Sequence, residues 1–146
     1  SGVTRLLDMG LEDYLLTSTV NAILAQRLVR VLCNECKKED SLGPEEIEHL
    51  DISHLVEQVG SSRVWHHQGC EQCSHTGYTG RMGIHELLLV DDQIRHLILE
   101  HASSEKIQQA ACQQGMVTLY EDAMLKALHG KTSIEEVLRV TSQQPR

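Results

Sequence analysis

The chain has no phenylalanine, a single tryptophan and three tyrosines. A core without aromatic bulk must be filled by Leu, Ile, Val, Ala and Met, which favours packed helices. No run of about 18 apolar residues is present, so no stretch reads as a membrane-spanning helix. Cations are outnumbered, and the formal net charge of −8 argues against nucleic acid as the main partner, because phosphate contacts need a basic face. No secretory signal is visible. The chain opens on Ser1-Gly2 rather than Met, as expected of a piece of a longer protein. A phosphate-binding P-loop is missing too. Gly130-Lys131-Thr132 resembles its end, but the loop needs a glycine where Leu125 stands and a strand where a helical pattern runs. Gly130 is read instead as a helix C-cap and Thr132 or Ser133 as the next N-cap. The chain by itself is not expected to hydrolyse a nucleotide.

What is present is a pair of C-x-x-C knuckles, Cys33/Cys36 and Cys70/Cys73. In each, one tight turn aims two sulfurs at one point. Two such turns supply four thiolates, the closed tetrahedral shell of a structural Zn²⁺ site. Iron also suits tetrahedral sulfur, and two disulfides or four unrelated buried thiols are the bland readings. Four thiolates leave no open position, which argues against a catalytic metal. The insert from Lys37 to Gly69 exceeds the zinc-ribbon spacing of about 15–20 residues. The expectation is a metal clip closing a helical excursion. Five cysteines, four of them used by a metal, place the protein in a reducing cytosol.

Along the chain, Ser1 to Met9 reads as a short helix and Leu11 to Ala25 as a longer one. Gln26 to Leu32 suits a short strand feeding the first knuckle, with a continued helix as the competing reading. Lys37 to Leu42 reads as a polar link. Gly43-Pro44-Glu45-Glu46 opens a helix carried by Ile47, Leu50, Leu55 and Val59 and ended by Gly60. Arg63 to His67 is a short strand. Gly77, Gly80 and Gly83 permit positive φ, and Met82 to Val90 is a strand. Four helical segments follow. Asp91 or Asp92 caps the first, through Glu100, and Ser103 caps the second, ending at Gly115. Capping-box patterns at Thr118 and Ser133 open the last two, and the polar tail from Thr141 is expected to fray.

The side chains around the knuckles have plain readings. His66, His67 and His75 are surface or neighbouring groups rather than ligands, since four thiolates fill the shell. Cys112 is a small core residue. Arg27, Arg30, Lys37 and Lys38 form a basic patch that would offset the negative charge of a metal–thiolate centre. Arg81 lies between Gly80 and Gly83 at the head of a strand. Its planar fork suits phosphate as well as a charge partner for the metal.

The stretches Thr4–Gly10 and Leu24–Arg30, the two knuckles, and Thr76-Gly-Tyr-Thr-Gly-Arg-Met-Gly-Ile-His-Glu86 together resemble the C-terminal part of the type II secretion ATPase. That family, the E component, is shared in outline with the type IV pilus assembly ATPase. Leu87-Leu-Leu-Val-Asp-Asp92, Gln114–Leu119 and Ile134–Thr141 extend the resemblance over the whole chain, and Leu87–Asp92 tips it toward secretion. The resemblance implies a cytoplasmic, hexameric motor that turns ATP hydrolysis into pseudopilus assembly. It docks at the inner membrane through a partner of the secretion platform. It also implies zinc at Cys33, Cys36, Cys70 and Cys73, ATP and Mg²⁺ bound only by a full-length parent, and Arg81, with Arg27 second, near the nucleotide. The expected fold is α+β and mainly helical. Residues 1–32 would be the tail of a RecA-like motor domain with a small sheet, 33–76 the tetracysteine clip, and 77–146 a strand plus a helical end module. The clip would hold its helical insert against the strands around Leu28 and Leu87. The rival is a stand-alone zinc-clip module that binds protein.

Overall fold

The computed structural model describes residues 18–141. The helix expected at Ser1–Met9, the greater part of the one expected from Leu11, and the tail beyond Thr141 lie outside the described residues. Among the described residues the fold is a small α+β arrangement of two two-stranded sheets and six helices. Strand β1 (Ala22–Leu32) pairs with β4 (Tyr78–Leu89). The bonds Cys33 N–H to Gly77 C=O and Val90 N–H to Asn21 C=O, at opposite ends, run the two strands in opposite directions. Strand β1 begins at Ala22, so residues 22–25 are not helical as expected. Ala and Leu are good helix formers, but intrinsic propensity is a weak prior, and pairing with a long partner strand overrides it.

Strand β2 (Lys38–Ser41) pairs antiparallel with β3 (Arg63–His66) in the register Lys38↔His66 to Ser41↔Arg63. The expected polar link is therefore a strand. Its four side chains are all exposed, so no apolar alternation announces it. Between β2 and β3 the expected single helix is two, α1 (Pro44–Leu50) and α2 (Ser53–Val59). The N-terminus of α1 follows its sequence: Pro44 stands in the first turn and the Gly43 N–H donates to the Glu46 carboxylate at 3.1 Å. The break is Asp51, held left-handed at φ 58°. It turns Ile52 fully into the core. The Tyr120 hydroxyl donates to the freed Leu50 carbonyl at 2.6 Å.

The remaining helices are α3 (Asp92–Leu99), α4 (Ser104–Gln113), α5 (Leu119–Leu128) and α6 (Ile134–Thr141). Asp91 caps α3 by accepting from the Ile94 N–H, and Ser103 caps α4 by accepting from the Lys106 N–H. Cys112, on α4, is half-buried. Strand β4 starts four residues before the expected Met82. Gly77 and Gly80 do take positive φ, but Gly83 does not.

The chain divides into two compact units. One comprises residues 1–26 and 85–118, and its core is Leu88, Val90, Ile94, Ile98, Ile107, Ala110 and Ala111. The other comprises residues 27–84 and 119–146 and carries all four knuckle cysteines. In its core α5 supplies Tyr120, Ala123, Met124, Ala127 and Leu128, and packs on α2, β3 and α6. Val29, Val64 and Ile84 are the buried strand residues there. Of the strands expected to hold the helical insert, the one around Leu28 does share a core with it, through Val29 beside Leu50, Ile52 and Leu55, while the side chains of Leu28 and Leu87 themselves are half exposed. A side chain's face of a strand alternates with each residue, and these two fall on the open side.

Candidate metal centre

Each knuckle is built by its backbone. After β1 the chain turns through Cys33–Cys36, closed by the Lys37 N–H on the Cys33 carbonyl at 3.0 Å. The second turn is a single 3₁₀ turn, Glu71–Cys73, followed by Ser74 and His75 at φ 55° and 63°. Two left-handed residues in succession fold the strand entry back, and the His75 N–H reaches the Cys70 carbonyl at 2.8 Å. Two glycines allow this. A Cβ at Gly69 would lie 2.9 Å from the His75 carbonyl oxygen, and one at Gly77 would lie 2.6 Å from the His67 Cβ.

The turns bring four Sγ atoms together, all within 4.8 Å of one another. The Cys33–Cys70, Cys36–Cys73 and Cys70–Cys73 separations are 3.8, 3.9 and 3.7 Å. A tetrahedral shell with metal–sulfur bonds of about 2.3 Å has an edge of about 3.8 Å, so the four sulfurs fit a bound metal ion. A disulfide needs about 2.05 Å, which excludes the paired-disulfide reading. Among the described residues no histidine joins the cluster. His66 sits between Asp40 (2.9 Å) and Glu135 (3.2 Å), and His67 stacks on Tyr78.

The expected basic patch does not serve the sulfurs. Arg27 donates to the Val140 carbonyl, Arg30 is bound to Glu136, and Lys37 donates to the Gly130 carbonyl over the Trp65 ring. Lys38 lies in exposed β2. Main-chain donors take the role instead. Gly69 N–H reaches Cys36 Sγ at 3.3 Å, while Cys70 N–H and Gly77 N–H each reach Cys73 Sγ at 3.2 Å. Burial works against ionising Cys73, but the Cys70 and Gly77 N–H groups and the neighbouring thiols bring it down to about 6. At Cys70 the Cys73 N–H works downward, yet burial and the Cys73 and Cys33 sulfurs push the thiol up to about 11. Four thiols this close compete for their protons, and a divalent cation bound there would take the protons' place.

Glu136 is the buried charge that its sequence conceals. Its pattern with Ser133 reads as a capping box, and the Ser133 hydroxyl does accept from the Glu136 N–H at 3.2 Å. The Glu136 carboxylate, however, is turned away from the cap and fully buried. It accepts from the Arg30 N–H (2.8 Å), Arg30 Nε and Nη2, and Arg139 Nε and Nη2. Burial pushes this acid up, but the two guanidiniums and the main-chain N–H hold it down at about 2. The Tyr78 hydroxyl, 2.6 Å from Ser133 Oγ, ties the loop after the second knuckle to the start of α6. Thr132 donates to the Arg30 carbonyl. Gly130 follows α5 at φ 79° and Ser133 precedes α6, as expected of a cap and not of a phosphate loop.

Arg81 lies exposed on β4 and lines a cavity of about 760 Å³ with Leu28, Arg30, Thr76, Tyr78, Gly80, Arg139 and Val140. Arg27 is held on the Val140 carbonyl. The family model described as type II/IV secretion system protein matches residues 1–139. The chain belongs to the type II/IV secretion system protein family. It is 48% identical over 140 residues to the type II secretion system protein E of Xanthomonas campestris, covering 96% of this chain and 24% of that protein. It is 44% identical to the type IV pilus assembly ATPase PilB of Thermus thermophilus, over 95% of this chain and 15% of that protein. To the type II secretion system ATPase E of Vibrio cholerae it is 40% identical, over 97% of this chain and 27% of that protein. The chain thus spans about a quarter of the length of the secretion proteins it matches. Among its described residues, no helix is long and apolar enough to cross a membrane.

Proposed function

We propose that this member of the secretion family is the C-terminal, zinc-binding portion of a type II secretion ATPase. In the parent, residues 1–32 end the RecA-like ATPase domain, 33–76 form the metal clip, and 77–146 form a helical end module. The observation that carries the metal reading is the meeting of four sulfurs at tetrahedral-edge spacing. Zn²⁺ at Cys33, Cys36, Cys70 and Cys73 is structural, because four thiolates leave no position for substrate. Closing a loop of about 35 residues removes chain entropy from the unfolded state, worth a few kcal/mol by analogy with disulfide loops. The hexameric parent is cytoplasmic and binds ATP and Mg²⁺. It docks at the inner membrane through secretion-platform proteins and drives pseudopilus assembly and protein export. Arg81, with Arg27 second, contacts the nucleotide.

The identity to a pilus ATPase, 44% against 48% and 40% for the two secretion proteins, supports a second reading as the matching part of a pilus-assembly motor. Elemental analysis of material purified under reducing conditions tests the metal, with one zinc per chain expected; iron or no metal overturns the zinc assignment. Export by the full-length parent with all four cysteines replaced by serine tests the role. Export is expected to fail, and normal export overturns the reading.

A further inference from the structure

Tyr78, the first residue of β4, is buried and touches both cross-links of its unit. Its backbone is tied to the sulfur cage. Gly77, immediately before it, donates to Cys73 Sγ at 3.2 Å and accepts from the Cys33 N–H at 2.9 Å. The Thr76 hydroxyl accepts from the Tyr78 N–H at 3.2 Å and donates to the Cys73 carbonyl at 2.8 Å. Its side chain reaches the arginines instead. The Arg30 guanidinium lies over the ring, 4.2 Å from the centroid. The hydroxyl meets Ser133 Oγ at 2.6 Å, and Ser133 accepts from the N–H of Glu136, the acid that holds Arg30 and Arg139. Tyr78, Arg30 and Arg139 line one cavity with Arg81. A cage closed on an ion fixes Gly77 from both knuckles at once, and an open cage does not. An element with two states that bears on two sites couples them.

We propose that Tyr78 is the positioning residue through which occupancy of the metal clip sets how tightly the parent ATPase holds ATP. This rests on reading the parent as an ATPase with Arg81 at its nucleotide, and adds regulation of that site by the metal. With the cage closed, the Tyr78 ring stays against Arg30 and its hydroxyl on Ser133, so that wall of the cavity is formed before a ligand arrives. With the cage open, the entry to β4 is released and the wall must be ordered on binding. No bond is made or broken beyond the metal's own. Coupling between two binding sites is reciprocal, so ATP in turn tightens the clip on its zinc.

Two measurements on the full-length, zinc-loaded parent test this. One is the zinc affinity, by competition with a chromophoric chelator, with and without ATP in excess Mg²⁺. ATP should tighten zinc about fivefold, the size of one partly desolvated cation–π contact. An unchanged zinc affinity overturns the coupling without recourse to any variant. The other is the split between KM and kcat for ATP. Tyr78→Leu, with one zinc per chain and circular dichroism matching the parent, should raise KM about fivefold, leave kcat within about twofold and abolish the effect of ATP on zinc. Tyr78→Phe keeps the ring and should restore KM to within about twofold. An equal rise in both variants, or a fall in kcat alone, overturns the route through Arg30. If Arg81→Ala raises KM while Tyr78→Leu leaves KM and the zinc effect intact, the coupling is wrong and the Arg81 reading stands. If Tyr78→Leu acts as expected and Arg81→Ala does nothing, the coupling stands and the Arg81 reading falls. A parent that hydrolyses no ATP removes both.

Discussion

Two cross-links hold the unit of residues 27–84 and 119–146, and they are made of opposite materials. At one, soft sulfurs from residues 33–36 and 70–73 converge on a point that suits a cation. At the other, a hard carboxylate at Glu136 gathers Arg30 and Arg139. The sulfur centre joins two turns that contribute two ligands each, so every ligand helps aim its neighbour. The carboxylate centre has one acid, and its partners are forks whose long stems reach it from β1 and α6. The difference teaches where the stability of each resides. The first, as proposed, would depend on an ion that can be withdrawn. The second depends on a charge that can be neutralised.

The sharpest way to break that comparison is to withdraw the ion. Chelation of metal-loaded protein should abolish the cooperative thermal transition of this unit, since structural zinc supplies on the order of 10 kcal/mol in small domains. An unchanged melt after complete metal removal, followed by circular dichroism, would dismiss the clip as a source of stability. Next in size is Glu136→Ala, which leaves two guanidiniums facing a void. Urea denaturation should show a loss of about 3 kcal/mol; a loss below about 1 kcal/mol would reduce the carboxylate centre to decoration.

Acid should reproduce part of that loss. The folded Glu136 carboxyl, at about 2, lies below its ordinary 4.5. Its contribution is therefore complete above about pH 4.5 and disappears as the pH falls toward about 2. The shift corresponds to no more than about 3 kcal/mol, because both guanidiniums reach solvent. The urea midpoint of the parent chain should fall toward that of Glu136→Gln across this window, and parallel curves would refute the assignment. Tyr120→Phe, which removes the donor to the Leu50 carbonyl, should cost about 1 kcal/mol.

The smallest effect is at His66, whose pKa is raised mainly by its hydrogen bond to Asp40. Its contribution is present below pH 6.5 and fades as the pH rises through the raised value. Being exposed, it should be worth under about 1 kcal/mol. A His66→Ala penalty that persists unchanged at pH 9 would show that packing, not charge, is responsible.

The same contrast governs what could be read from the sequence. The sulfur centre was legible because two residues of spacing fix the geometry of a turn. So were α3 and α4, whose caps Asp91 and Ser103 are local. Glu136 was visible only as part of a cap, because its partner Arg30 is 106 positions away. Strand β2 was read as a link because Lys38-Glu-Asp-Ser has no buried side chain to betray it. The break between α1 and α2 rests on one left-handed aspartate, a choice made by the core receiving Ile52 rather than by local preference. Arg81 was singled out, but the company of Arg30 and Arg139 appears only when β1, β4 and α6 are folded.

Gly77 touches both knuckles at once. Its N–H meets Cys73 Sγ and its carbonyl meets the Cys33 N–H, and a Cβ there has no room beside His67. This position acts as a gauge block between the two halves of the sulfur cage. A single added methyl, at a residue that ligates nothing, would pry the halves apart with every cysteine intact. Such a chain would still carry the full ligand motif and yet release its ion more readily.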